Sequence, residues 1–234
     1  GGVLGHHDDY NERDLLKTRR YPDGNTEAFA YDKKGDLTAI KQRDGTVIGK
    51  TYDAAGRLSS SYVTANPGRR PGTTQQDMRY DGAGRRVYDF DNNEPRNPDD
   101  DVTHERRYDS LGKLLSQTES VGRVTTSNPV LTTTASYDSD GNMLTLRYPS
   151  GRVLSYAWTA LHNLESIRER SFSSGDLARF EYKGPGRYKS IAYGRTTQTF
   201  DYDDLNQVKG ITHQLNGRTL TLRYTRDPAG NVLS

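Results

Sequence analysis

A block of the form Tyr-Asp-x-x-Gly followed by an aliphatic residue recurs along this chain, and that recurrence constrains the fold more than any other feature. Five copies are clear: YDKKGDL from Tyr31, YDAAGRL from Tyr52, YDGAGRRV from Tyr80, YDSLGKL from Tyr108 and YDSDGNML from Tyr137. Weaker copies lead with Tyr10, Trp158, Tyr182, Tyr202 and Arg226. Successive leads lie 21, 21, 28, 28, 29, 21, 24, 20 and 24 residues apart. A period of this size marks an array of supersecondary units, each supported by its neighbours.

The block reads as a turn. In Asp53-Ala54-Ala55-Gly56, the first-position Asp can accept backbone N–H bonds, and the last-position Gly can take positive φ without a Cβ clash. A type I turn followed by a left-handed glycine is a common hairpin connection. The same reading assigns structural turn roles to Tyr31, Asp32 and Gly35, to Tyr52, Asp53 and Gly56, and to Tyr80, Asp81 and Gly84. It extends to Tyr108, Asp109 and Gly112, to Tyr137, Asp138 and Gly141, and to Tyr202 and Asp203. The tyrosine before each turn and the Leu, Val or Met after it should face each other across the strand pair.

Between these turns lies a second set, Pro22-Asp23-Gly24-Asn25, Arg43-Asp44-Gly45-Thr46, Pro149-Ser150-Gly151-Arg152 and Leu215-Asn216-Gly217-Arg218. Asp-Gly and Asn-Gly are strong hairpin signals. Two turns in 21 residues leave about seven residues per strand, with turns alternating between two rims. A lone hairpin is unstable in water, so successive hairpins must pair edge to edge. The expected fold is all-β: tandem antiparallel hairpins in a spiralling sheet, an open solenoid or shell wall, because strand twist accumulates. Residues 10–234 form the array, of about ten hairpins. Residues 1–9 read as an expression boundary or a disordered start. Leu161 to Arg170 is the one stretch with any helical character, and its place in the repeat makes it a strand.

Composition fits a thin interior. Hydrophobic residues make up 31% of the 234, which by itself argues for disorder, yet 16 tyrosines and 23 glycines argue against it. Tyrosine suits a sheet that is apolar at its base and wet at its tip. The net charge of +2 offers no nucleic-acid field, and no apolar run is long enough for a membrane helix. Without cysteine there are no disulfides or thiolate metal sites.

The blocks resemble those of the YD-repeat, or Rhs-repeat, family, as does the aromatic two positions earlier in several copies (Phe29, Phe200, Tyr224). The resemblance covers nearly all of the chain. Members include bacterial Rhs toxins, toxin-complex shell components, wall-associated proteins and the YD shells of teneurins. The resemblance implies a hollow shell of spiralling hairpins, which in the toxins encloses a C-terminal toxic polypeptide. It brings no catalytic residue and no cofactor. Asp227-Pro228-Ala229-Gly230 matches only a repeat turn, not the family's core-closing autoprotease region, so the chain is expected to be a segment of a larger secreted or cell-surface protein.

Candidate chemistry is sparse. His6, His7, His104, His162 and His213 have no metal-ligand spacing, and no nucleophile elbow is present. Recurring Asp residues suit turn capping better than catalysis, which needs one perturbed constellation. Asp89 to Glu94 with Asp99-Asp100-Asp101 could offer oxygen ligands to Ca²⁺, but a solvated acidic loop is the better reading. No catalytic, metal or cofactor site is therefore expected.

The three longest repeats insert residues at 66–72, 93–101 and 121–129, all on the rim opposite the Tyr-Asp turns, where a repeat protein can bind a ligand. The alternative to a shell is thus an adhesive or carbohydrate-binding module. Unpaired end strands would also permit edge-to-edge self-association.

Overall fold

In the computed structural model, which describes residues 5–64, 72–94, 97–170, 175–227 and 229–233, the described residues form nineteen β-strands and no helix. The chain divides into two compact units: residues 1–108 with 116–132, and residues 109–115 with 133–234.

The first unit opens with β1 (His7–Tyr10), β2 (Leu16–Arg20), β3 (Thr26–Tyr31), β4 (Leu37–Lys41) and β5 (Val47–Tyr52). It continues with β6 (Leu58–Thr64), β7 (Gln75–Tyr80), β8 (Arg86–Asn92) and β9 (Val102–Tyr108). Each strand pairs antiparallel with the next, from β1–β2 to β8–β9. Then comes β10 (Leu114–Val121), whose residues divide between the units.

The second unit repeats the plan. It holds β11 (Leu131–Tyr137) from Thr133 onward, β12 (Met143–Arg147), β13 (Val153–Trp158), β14 (Leu164–Glu169) and β15 (Ala178–Tyr182). After these come β16 (Tyr188–Tyr193), β17 (Thr196–Tyr202), β18 (Val208–Leu215) and β19 (Arg218–Arg223). Consecutive antiparallel pairing again runs through all nine. The all-β hairpin array expected from the repeats is therefore the observed fold, and Leu164–Glu169 is a strand.

Strands of four to eight residues bracket the length set by the repeat. Tyrosine faces an aliphatic residue across most Tyr-Asp turns: Tyr31 pairs with Leu37, Tyr52 with Leu58, Tyr137 with Met143 and Tyr202 with Val208. The register shifts at each of these tyrosines. That is a β-bulge, one extra residue absorbed where the strand meets its turn.

The opposite-rim turns differ from the two-residue form that Asp-Gly suggests. Gly24 N–H donates to Tyr21 O, so the turn runs Tyr21-Pro22-Asp23-Gly24 with the glycine last, and Tyr148 to Gly151 repeats this. Proline fixes φ near −65°, which suits the second position of a type I turn, and Gln42-Arg43-Asp44-Gly45 takes the same form without proline. Only Asn216-Gly217 keeps the two-residue form among the four, with φ of 49° and 78°.

The described residues build no thick core. Thr46, Gly49, Met78, Leu154, Ser166 and Gly210 are the buried residues among those described, and most other strand side chains are half-buried. Tyr62 lies across Gly49, its strand partner, so closely that any Cβ there would meet the ring.

Candidate functional site: the Tyr-Asp rim

Each rim turn is built from its own backbone and one aspartate. At Asp53, Gly56 N–H donates to the Asp53 carbonyl (3.0 Å) and Asp53 N–H to the Arg57 carbonyl (2.8 Å). Asp53 Oδ1 accepts from the amides of Ala55 (2.9 Å) and Arg57 (3.0 Å), while Oδ2 accepts from Arg57 Nε (2.7 Å). Gly56 closes the turn at φ 78°. Asp32, Asp81, Asp109, Asp138 and Asp203 accept from the same two kinds of amide. Gly35, Gly84, Gly112 and Gly141 likewise have positive φ.

These bonds stabilise the charged carboxylates. The Arg57 amide, opposed by burial, holds Asp53 below the ordinary aspartate value. Burial alone would raise Asp81 and Asp32. The Arg85 amide and guanidinium outweigh it at Asp81, and the Asp36, Lys34 and Gly35 amides do so at Asp32. The Asn142 side chain is the main cause of the lowering at Asp138. Capped carboxylates of this kind lack the raised pKa that a general acid needs at neutral pH.

Where a repeat lacks glycine, another residue takes its backbone conformation: Asp14 (φ 57°), His162 (59°) and Asn206 (61°). His162 is thereby a turn residue, its Nδ1 lying 3.0 Å from Asn142 Nδ2.

The aromatics join one turn to the next. The Tyr31 hydroxyl donates to Leu16 O (3.0 Å), Tyr52 to Leu37 O (2.9 Å), Tyr80 to Leu58 O (2.9 Å) and Tyr108 to Arg86 O (3.4 Å). In the second unit Tyr137 donates to Leu114 O (3.1 Å) and Trp158 Nε1 to Met143 O (2.8 Å). Tyr182 reaches Leu164 O and Tyr202 reaches Tyr188 O, both at 2.8 Å. Every acceptor opens the strand that follows the preceding turn. Leu16, Leu37, Leu58, Arg86, Met143, Leu164 and Tyr188 are also the residues paired with the preceding aromatic, as Leu58 is paired with Tyr52. Each of these aromatics except Tyr108 therefore packs across its own hairpin, and all bond to the hairpin before.

A cation reinforces the join. The Arg57 guanidinium lies over the Tyr80 ring (4.6 Å), Arg85 over Tyr108 (4.8 Å) and Lys113 over Tyr137 (5.9 Å). All three follow the turn glycine directly. Arg57 Nη1 also donates to Asp81 O (3.1 Å), and Arg13 bonds Asp32 O (2.8 Å) and Lys33 O (3.0 Å). These inter-repeat contacts were invisible to turn chemistry, although a basic residue after glycine in three copies was a signal for them.

Of the inserted loops, residues 66–71 lie outside the described residues. The loops at 93–101 and 121–129, both in the first unit, meet: Gly122 N–H donates to Asp101 O (2.6 Å), and Arg123 pairs with Asp99 (3.3 Å). Burial, then the charges of Asp100 and Asp91, pushes the Asp101 carboxyl up. Among the described residues no group of three ligand side chains is placed to hold a metal ion.

The RHS Repeat family model matches residues 31–70, which contain the Tyr31 and Tyr52 turns. The repeat read from the sequence is thus an RHS repeat there. No curated protein matches the chain. Among solved structures it is similar to TcdB2-TccC3, with a TM-score of 0.67 at 18% identity over 97% of this chain and 12% of that one. It is also similar to a chain of the Photorhabdus luminescens Tc holotoxin pore carrying the TccC3 D651A mutation, with a TM-score of 0.64 at 16% identity over 97% of this chain and 13% of that one. The chain thus spans about an eighth of the length of the chains it matches, and the likeness is one of fold.

Proposed function

Taking as premise a chain that carries RHS repeats, we propose that it is a non-enzymatic wall segment of a larger secreted or cell-surface protein, one that helps enclose a toxin polypeptide carried by the same parent. The observation that carries this reading is the rim ladder. Side chains that elsewhere would serve chemistry are used here to fasten one hairpin to the next. The aspartates cap turns and the tyrosines bond backbone carbonyls. A sheet extended in this way has no natural limit on its length, which suits a wall. The fold likeness to Tc toxin components supports the same context.

Limited proteolysis of the parent protein tests the proposal. The enclosed polypeptide should resist protease in the intact parent and become susceptible when the ladder is opened by combined Tyr52→Phe, Tyr80→Phe and Gly56→Val substitutions. Ready cleavage of that polypeptide in the intact parent would contradict enclosure.

A further inference from the structure

The second unit is electrically polar from rim to rim. Its Tyr-Asp turns (109–113, 138–142, 159–163, 183–187, 203–207 and 227–231) carry six acidic and three basic residues. The opposite connections (147–152, 168–179, 194–196 and 214–219) carry seven arginines against only Glu169 and Asp176. Both of those acids are engaged, Glu169 with Arg152 (3.1 Å) and Asp176 with Arg168 and Arg179. Arg147, Arg170, Arg195 and Arg218 are exposed and have no acidic partner among the described residues.

These four arginines fall into two surface hollows. One, of about 330 Å³, is lined by Arg147, Gly151, Val153 and Arg170. It centres on Val153, which pairs with Arg147 on one side and whose carbonyl accepts from Arg170 N–H (3.0 Å) on the other. The second, of about 370 Å³, is lined by Arg195, Thr197, Gln214, Asn216, Arg218 and Thr219 among others. Thr197, Gln214 and Thr219 form one cross-strand row there. Four to five strands separate the hollows, roughly 19–24 Å along the sheet at about 4.8 Å per strand.

We propose that this rim binds an anionic polysaccharide, with a sulfate or carboxylate group seated in each hollow. Paired guanidinium forks with no acidic partner among the described residues match planar oxyanions in geometry and charge. The hydroxyls and amides of Thr197, Gln214, Asn216 and Thr219 suit sugar hydroxyls. The spacing requires an extended ligand, since one small anion fills a single hollow. Among the described residues no aromatic ring lines either hollow, and single-stranded nucleic acid is held largely by stacking on such rings. The inference is independent of the enclosure reading: a wall segment can carry this surface on either face.

Calorimetric titration of the chain with a heparin-derived decasaccharide, at about 0.15 M salt where exposed charges are screened beyond roughly 8 Å, tests it. Arg147→Gln with Arg170→Gln, or Arg195→Gln with Arg218→Gln, should each weaken binding at least about tenfold, and the fourfold variant should abolish it. Lys33→Gln with Lys34→Gln, on the Tyr-Asp rim of the first unit, should leave affinity within about twofold. In the unaltered chain the bound decasaccharide should shield those four arginines from phenylglyoxal, read by mass spectrometry. Absence of binding, equal weakening in the lysine variant, or shielding elsewhere would overturn the site. Equally tight, arginine-dependent binding of oligo-dT or polyglutamate would overturn the assignment to a polysaccharide.

Discussion

Arg57 sits 4.6 Å above the ring of Tyr80, a residue that belongs to the next repeat. Its guanidinium bonds Asp53 in its own turn and the carbonyl of Asp81 in the following one. A single side chain therefore links two turns separated by a full hairpin. A double-mutant cycle of Arg57→Met and Tyr80→Leu, followed by urea unfolding, should give a coupling energy of about 0.5–1 kcal/mol, the usual size for a partly exposed cation over an aromatic face. Strict additivity would mean that the stacking contributes nothing.

Gly56 tests the turn itself. With φ at 78°, a β-branched side chain there should cost about 1–2 kcal/mol or more. Gly56→Asn should cost distinctly less, because asparagine tolerates this region and Asn206 already adopts it at the equivalent position. Ala55→Ser should be nearly silent. Thermal unfolding of the three variants ranks them, and equal effects would count against the turn geometry.

Stability should fall in acid for a defined reason. The folded pKa values of Asp32, Asp53, Asp81 and Asp138 lie below the ordinary aspartate value of 3.8. Their stabilisation is therefore fully present above that value, and it is lost as pH falls through the lower folded values. Asp53→Asn should flatten the loss of melting temperature between about pH 5 and pH 2 relative to the unaltered chain. An unchanged profile would exclude Asp53 as a contributor.

The two loops of the first unit meet through a glycine that cannot be enlarged. A Cβ on Gly122 would stand 2.3 Å from the backbone oxygen of Asp99, at φ 62°. Gly122→Ala should break the Gly122–Asp101 hydrogen bond and speed amide exchange at Gly122, leaving the β3–β4 hairpin unaffected. Exchange at Gly122 as slow as in the parent chain would contradict the packing.

The hairpins were legible in the sequence because their determinants are local. The spacing of Tyr52, Asp53, Gly56 and Leu58 spans one turn, and each residue acts within about four positions of it. The joins between hairpins were not, because their determinants are separated by a variable loop. Tyr52 reaches Leu37 across 15 residues, and Tyr80 reaches Leu58 across 22. A backbone carbonyl also leaves no mark in the sequence, so the acceptors at Leu16, Leu37 and Leu58 had no signature. The second-unit arginine rim was hidden for a different reason. The chain's net charge of +2 sums every charged residue and so conceals the opposite signs of that unit's two rims.

Aromatic tips fasten each hairpin to the one before. The most direct test compares urea-unfolding free energies of Tyr52→Phe and Tyr80→Phe with that of Tyr62→Phe, whose hydroxyl bonds no partner among the described residues. The first two should each lose about 1 kcal/mol, the usual net contribution of one hydrogen bond whose acceptor is left unpaired, and Tyr62→Phe should lose almost nothing. Equal, negligible losses at all three positions would contradict the ladder.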